Sequence, residues 1–156
     1  MGKPMKPPEI SGLEDHLGFW LRFVSNAVSG RFEKLVDGEG VTVSEWVALR
    51  QIYGETPVTS GELVAALGLT KGAISKVLGR LETKGLLRRT EDETDRRVQV
   101  LVLTEQGREL VPRLAALADE NDRYFFANLP TDTQKTLRVA LQAIVREQKL
   151  VTTPVD

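Results

Sequence analysis

TSGELVAALGLTKGAISKVLGRLETKGLLRR, residues 59–89, carries two short helices with their start and stop signals written into it. Thr59 and Glu62 have the spacing of a capping box, in which hydroxyl and carboxylate each satisfy a free backbone donor at a helix start. That helix runs to about Leu67, and Gly68 supplies the turn that closes it. Thr70 caps a second helix with Ile74, Val77, Leu78 and Leu81 at i, i+3, i+4 and i+7, and Gly85 stops it. Two short capped helices across a glycine turn predict a helix-turn-helix.

The period changes beyond Gly85. Leu86–Thr90 and Val98–Leu103 are strand-like, and the charged segment Glu91–Arg97 joins them, so a β-hairpin follows the second helix directly. The order predicts a mainly α fold with a small β-hairpin wing: a winged helix-turn-helix over residues 41–104. Upstream, apolar steps of three and four from Ile10 to Val36 mark a helix, ended by Asp37-Gly-Glu-Gly40. Phe19, Leu21 and Phe23 make its stripe wider than one partner surface requires. Thr42–Tyr53 is a second helix, and Pro57 breaks the chain after it. Downstream, Thr104 caps a helix along Leu110, Leu114 and Leu117 that Pro112 is expected to kink. Thr131 and Gln134 have capping-box spacing before a last helix along Leu137, Leu141, Ile144 and Val145. Residues 10–36 and 105–150 then form a helical region outside the winged unit. Residues 1–9 are expected to be a flexible, Pro-rich arm and 151–156 a flexible tail.

Bulk properties remove several classes of function. No run approaches the ~18 apolar residues of a membrane span, and MGKPMKPPEI lacks the apolar core of a secretory signal, so a cytoplasmic location is expected. There is no cysteine and one histidine, His16, which argues against disulfides, thiol sensing and a transition-metal site; no cofactor is expected. His16 lies in a helical stripe with no nucleophile motif beside it, and no Gly-rich phosphate loop is present, so an enzyme is not expected. Net charge is −1, but residues 68–100 hold eight basic side chains against five acidic ones. Positive charge gathered on the helix-turn-helix and hairpin suits double-stranded DNA as partner.

Opposite the apolar face of the second motif helix lie Gly72, Lys76, Gly79 and Thr83, flanked by Ser75 and Arg80. Small, hydrogen-bonding and cationic residues together suit a helix lying close in the major groove, with Lys71 within reach of a phosphate or base edge. In the hairpin, residues two apart on an extended strand share a face, so Asp95 faces Arg97 and fixes the direction of its planar fork. A pre-aimed arginine suits the narrow minor groove, and Arg96, pointing the other way, suits a phosphate.

DRRVQVLVLT, Asp95 to Thr104, resembles the D-x-R-x-x-x-L-x-L-T wing signature of the multiple antibiotic resistance regulator (MarR) family, with Asp95, Arg97, Leu101, Leu103 and Thr104 in place. VTVSEWVALRQI, residues 41–52, resembles that family's second helix, and the likeness extends over roughly residues 10–148. It implies a homodimeric transcriptional regulator whose first and last helices intertwine, with two lobes reading a palindromic operator, more often as a repressor. It also implies Arg97 as the minor-groove arginine, Asp95 as its positioning partner, and Ser75, Lys76 and Arg80 as recognition-helix contacts. Many relatives respond to small aromatic or phenolic effectors held between the dimerisation helices and the DNA-binding lobe. The corresponding wall here is His16, Trp20, Phe23 and Trp46, with Arg50 as anion partner, although aromatics at helical spacing equally suit a plain core. The alternatives are a winged-helix domain used for protein–protein contact and an architectural DNA binder with no effector.

Overall fold

A computed structural model describes residues 9–155. Its helices are α1 (Leu17–Asp37), α2 (Val43–Ile52), α3 (Ser60–Leu67), α4 (Lys71–Thr83), α5 (Glu105–Phe126) and α6 (Thr131–Glu147). The strands are β1 (Val58–Thr59), β2 (Leu87–Glu91) and β3 (Gln99–Leu103), in one antiparallel sheet of order β1-β3-β2. Leu87 pairs with Leu103 and Arg89 with Leu101. That register sends Leu87, Leu101 and Leu103 into the core, while Arg88, Thr90 and Gln99 stay exposed.

One apolar core joins the winged unit to the start of α5. Leu49 of α2, Leu63 of α3, Ile74, Leu78 and Leu81 of α4, and Leu101 of β3 are fully enclosed together with Val111 and Leu114 of α5. Trp46 packs against this cluster half-buried. The predicted caps at Thr59 and Thr70 form. Thr59 Oγ1 accepts from the Glu62 amide at 3.1 Å, and the Glu62 carboxylate accepts from the Thr59 amide at 2.8 Å. Thr70 Oγ1 accepts from the Ala73 amide at 3.1 Å.

Several expectations give way. The first helix starts at Leu17, not Ile10, because local bonds compete with helical ones. The Asp15 carboxylate takes the Gly12 amide at 2.7 Å, and Leu13–Asp15 close a 3-10 turn before His16. A strand at Val58–Thr59, unforeseen, pairs with Val100 and Leu101. The capping box at Thr131 and Gln134 does not form. Thr131 is already helical, Pro130 holds the cap position without a hydroxyl, and Gln134 Nε2 donates instead to the Phe126 and Leu129 carbonyls, both at 3.0 Å.

After α6 the chain returns to the end of α3. Lys149 adopts φ 52° and turns the chain out of α6, and the Thr153 amide donates to the Leu67 carbonyl at 2.9 Å. Residues 151–152 thereby cross Gly68, where a Cβ would sit 2.6 Å from the Val151 carbonyl oxygen. Residues 1–8 of the N-terminal arm and Asp156 of the tail lie outside the described residues. Gly68 also has φ +64°, a left-handed conformation that penalises any side chain. Gly68→Ala is therefore expected to cost about 2 kcal/mol or more, read as a lower urea midpoint. An unchanged midpoint would contradict both the left-handed turn at Gly68 and the tail lying across it.

Helix α6 has no buried residue. Leu137, Val139, Leu141, Ile144 and Val145 are exposed on it, and Leu17, Trp20, Leu21, Phe23 and Val24 are exposed on α1. These faces exceed what isolated apolar surface residues account for.

Candidate nucleic-acid interface

Helix α4 is sorted by burial into two faces. Ile74, Val77, Leu78 and Leu81 are buried; Lys71, Gly72, Ser75, Lys76 and Thr83 are exposed. A Cβ added at Gly72 or Gly79 would meet nothing within 4 Å, so packing within the chain does not require either glycine. Both leave the outer surface of the helix low.

The hairpin tip is built from backbone-directed carboxylates. Asp92 Oδ1 accepts from the Thr94 amide at 2.7 Å and from its hydroxyl at 2.8 Å, which holds the Asp92 carboxyl below the usual range. Asp95 Oδ1 accepts from the Arg97 amide at 3.0 Å and from Arg97 Nε at 3.2 Å. The pair expected across an extended strand thus forms, but by another route. Residues 95–97 lie in the turn before β3, and the carboxylate closes on the amide two residues ahead, as aspartates in turns do. With Nε engaged, the far end of the guanidinium projects outward, and the Arg97 side chain is 92% exposed. Arg96 is exposed at the same turn.

Helix α4 and the hairpin share a cleft of about 520 Å3, lined by Lys71 and Ser75 of α4, Ser60 and Gly61 of α3, Arg89 of β2 and Arg97 of the hairpin tip. Farther along α4, Lys76, Gly79, Arg80, Thr83 and Lys84 line an open groove of about 490 Å3. Lys71, Gly72, Ser75, Lys76 and Arg80 of α4 and Arg96 and Arg97 of the hairpin tip are exposed, with Asp95 half-buried beside Arg97. Arg80 also has a partner inside the chain: its Nε donates at 3.0 Å to Oε1 of Glu45, a fully buried carboxylate on α2.

Sequence reading missed Glu45. Thr42 and Glu45 form a capping box at the start of α2, a T-x-x-E spacing that was available to be noticed. Glu45 Oε2 accepts from the Thr42 amide at 2.9 Å and from Lys84 Nζ at 2.7 Å. Burial pushes the Glu45 carboxyl upward, but the bonds from Lys84, the Thr42 amide and Arg80 outweigh it and hold the group below its ordinary value. A carboxyl lowered on folding adds stability above its unfolded pKa and loses it as pH falls through the folded one. The gap in urea midpoint between wild type and Glu45→Gln is therefore expected to be widest near neutrality and to close under acid conditions. A gap independent of pH would deny the charge a part in it.

The expected effector residues are divided between the start of α1 and α2. His16 precedes α1, its ring Nδ1 2.9 Å from the Gly12 carbonyl. Trp20 Nε1 donates to the Glu14 carbonyl at 2.9 Å, and Phe23 is 66% exposed farther along α1. Trp46 and the exposed Arg50 belong to α2. Among the described residues no cluster of His, Cys, Asp or Glu has the grouping of a metal site. No helix among them is long and apolar enough to cross a membrane.

A helix-turn-helix with an open cationic face, followed by an arginine-tipped hairpin, defines a winged-helix DNA-binding protein. The family model described as the MarR family matches residues 39–98. A putative transcriptional regulatory protein for the hcr operon of Thauera aromatica is 30% identical over 132 residues, 84% of this chain and 80% of that protein. Among solved structures, CouR of Rhodococcus jostii RHA1 bound to p-coumaroyl-CoA is 29% identical with a TM-score of 0.75, covering 86% of this chain and 95% of its own. S. aureus MepR in complex with DNA has a TM-score of 0.77 over 85% of this chain and 98% of its own; at 21% identity that likeness is one of fold. The chain belongs to the MarR family and is a DNA-binding transcriptional regulator, not an enzyme.

Proposed function

We propose that the protein acts as a homodimer on a palindromic operator, as a repressor in the cytoplasm, and that a small aromatic effector releases it. The observation that carries the DNA reading is Arg97, held by Asp95 and projecting beside the outer face of α4. In this reading Arg97 enters the minor groove, Lys71, Gly72, Ser75, Lys76 and Arg80 lie along the major groove, and Arg96 meets a phosphate. The dimer rests on the uncovered apolar faces of α1 and α6, so residues 10–36 and 105–150 form the dimerisation region around the winged unit 41–104. Burial against a second copy gives those faces the partner that the single chain lacks.

The effector site would be completed by that dimer. His16, Trp20 and Phe23 lie on the face to be covered, and Trp46 and Arg50 stand on α2. CouR, bound to p-coumaroyl-CoA, supports an aromatic acid or its thioester as the chemical class. Trp20 and Trp46 are the two tryptophans of the chain, so ligand can be followed by intrinsic fluorescence. Titration with p-coumaroyl-CoA or the free acid is expected to quench both, and Trp20→Phe and Trp46→Phe should each remove part of the signal. Sedimentation equilibrium of the same samples is expected to give twice the chain mass. A monomer, or ligand that leaves operator binding unchanged, would refute the corresponding half of the proposal.

A further inference from the structure

Glu45 is the one buried ionisable side chain among the described residues, and the DNA-facing surface does not include it. Stability is a weak reason to place it there, since an apolar residue of similar size commonly serves a core as well as a buried ion pair or better. Its bonds point to another use. Oε1 takes Arg80 Nε at 3.0 Å; Oε2 takes Lys84 Nζ at 2.7 Å, and that ammonium also donates to the Gly40 carbonyl at 2.8 Å. One carboxylate on α2 thus grips α4 at Arg80 and, one turn on, at the residue that caps its end, Lys84. A guanidinium held at Nε keeps its terminal nitrogens for other partners. Arg80 Nη2 lies 3.5 Å from Ser44 Oγ, a marginal contact, and the side chain borders the open groove with Lys76, Gly79 and Thr83. The arrangement matches Asp95 with Arg97 in placing one carboxylate on Nε of an exposed arginine, except that this carboxylate is buried.

We infer that Glu45 is a positioning residue for DNA recognition: from within the core it aims the Arg80 fork at a backbone phosphate of the operator. The inference rests on the DNA-binding reading above. It is tested by a double-mutant cycle on one operator duplex at fixed salt, with Glu45→Gln, Arg80→Ala and the double variant. Arg80→Ala is expected to weaken binding about tenfold and to reduce the salt slope by about one. Glu45→Gln should weaken it about fivefold alone and by nothing further in the Arg80→Ala background, since the two act through one contact. Arg80→Lys keeps a cation beside Glu45 and the fold intact, yet lacks the fork, and should lose most of what Arg80→Ala loses. Equal losses from Glu45→Gln in both backgrounds would make Glu45 merely structural and overturn the inference. Arg80→Ala binding as wild type while Arg97→Ala fails would also overturn it and leave the DNA reading standing. If Arg97→Ala bound as wild type too, the DNA reading itself would fall.

Discussion

Gly107→Ala is expected to destabilise the fold by about 3 kcal/mol, among the larger effects of a single methyl group. Thr104 joins the wing to α5 and is bonded on every side. Its amide donates to the Leu86 carbonyl at 3.1 Å, its hydroxyl donates to the Gly85 carbonyl at 2.7 Å, and the same oxygen accepts from the Gly107 amide at 3.1 Å. These bonds draw the first turn of α5 onto the end of the recognition helix and the start of β2. A Cβ at Gly107 would collide with the Leu86 carbonyl and stand 3.5 Å from Leu103 Cβ. One obstacle is backbone and the other is core, so neither yields without moving the sheet. Gly72→Ala and Gly79→Ala are the controls. A Cβ at either meets open space, so alanine there should leave stability unchanged or raise it by up to about 1 kcal/mol. Urea denaturation of the three variants checks the contrast, and equal midpoints would contradict the docking of α5 on Leu86.

Arg97→Ala is expected to weaken operator binding about thirtyfold without altering the fold or the oligomeric state. The side chain is 92% exposed, and its hydrogen bonds among the described residues go to Asp95 alone, so removing it costs the core nothing. Asp95→Ala should act in the same direction and less strongly. The arginine remains, but it loses the acceptor that fixes Nε and the turn loses the bond to the Arg97 amide. Tighter binding by Asp95→Ala would identify the carboxylate as a repulsive charge at the DNA surface and end the positioning account. Fluorescence anisotropy with one labelled operator duplex measures both.

The parts of this molecule legible in the sequence are those set by neighbours in the chain. The Thr59–Glu62 box, the Thr70 cap, the turn at Gly68 and the inward stripe Ile74, Val77, Leu78 and Leu81 each depend on residues within a few positions. The Asp95–Arg97 contact was legible for the same reason, although a turn and not a strand makes it. What escaped depends on distant partners or on competing local bonds. Nothing near Glu45 announces Arg80 and Lys84, 35 and 39 residues on, and only the packing of α2 on α4 brings the three together. The pairing of Val58 and Thr59 with β3 is too short to leave a period. The helix start at Leu17 was hidden because Ile10 and Leu13 continue the apolar steps while the Asp15 carboxylate breaks the backbone pattern. The expected effector residues rest on a family likeness and not on local spacing, and they are divided between an exposed stretch of α1, with Trp20 and Phe23, and α2, with Trp46 and Arg50.

The most direct test of the central claim is selection of bound sequences from a random double-stranded DNA library by the purified full chain at moderate salt. Enrichment of a palindrome with half-sites about one helical turn apart is the result expected of a dimer placing one α4 and one Arg97 in each half. Recovery of no common sequence, with binding abolished by a small rise in salt, would reduce the interaction to phosphate attraction and contradict sequence-specific regulation by this surface.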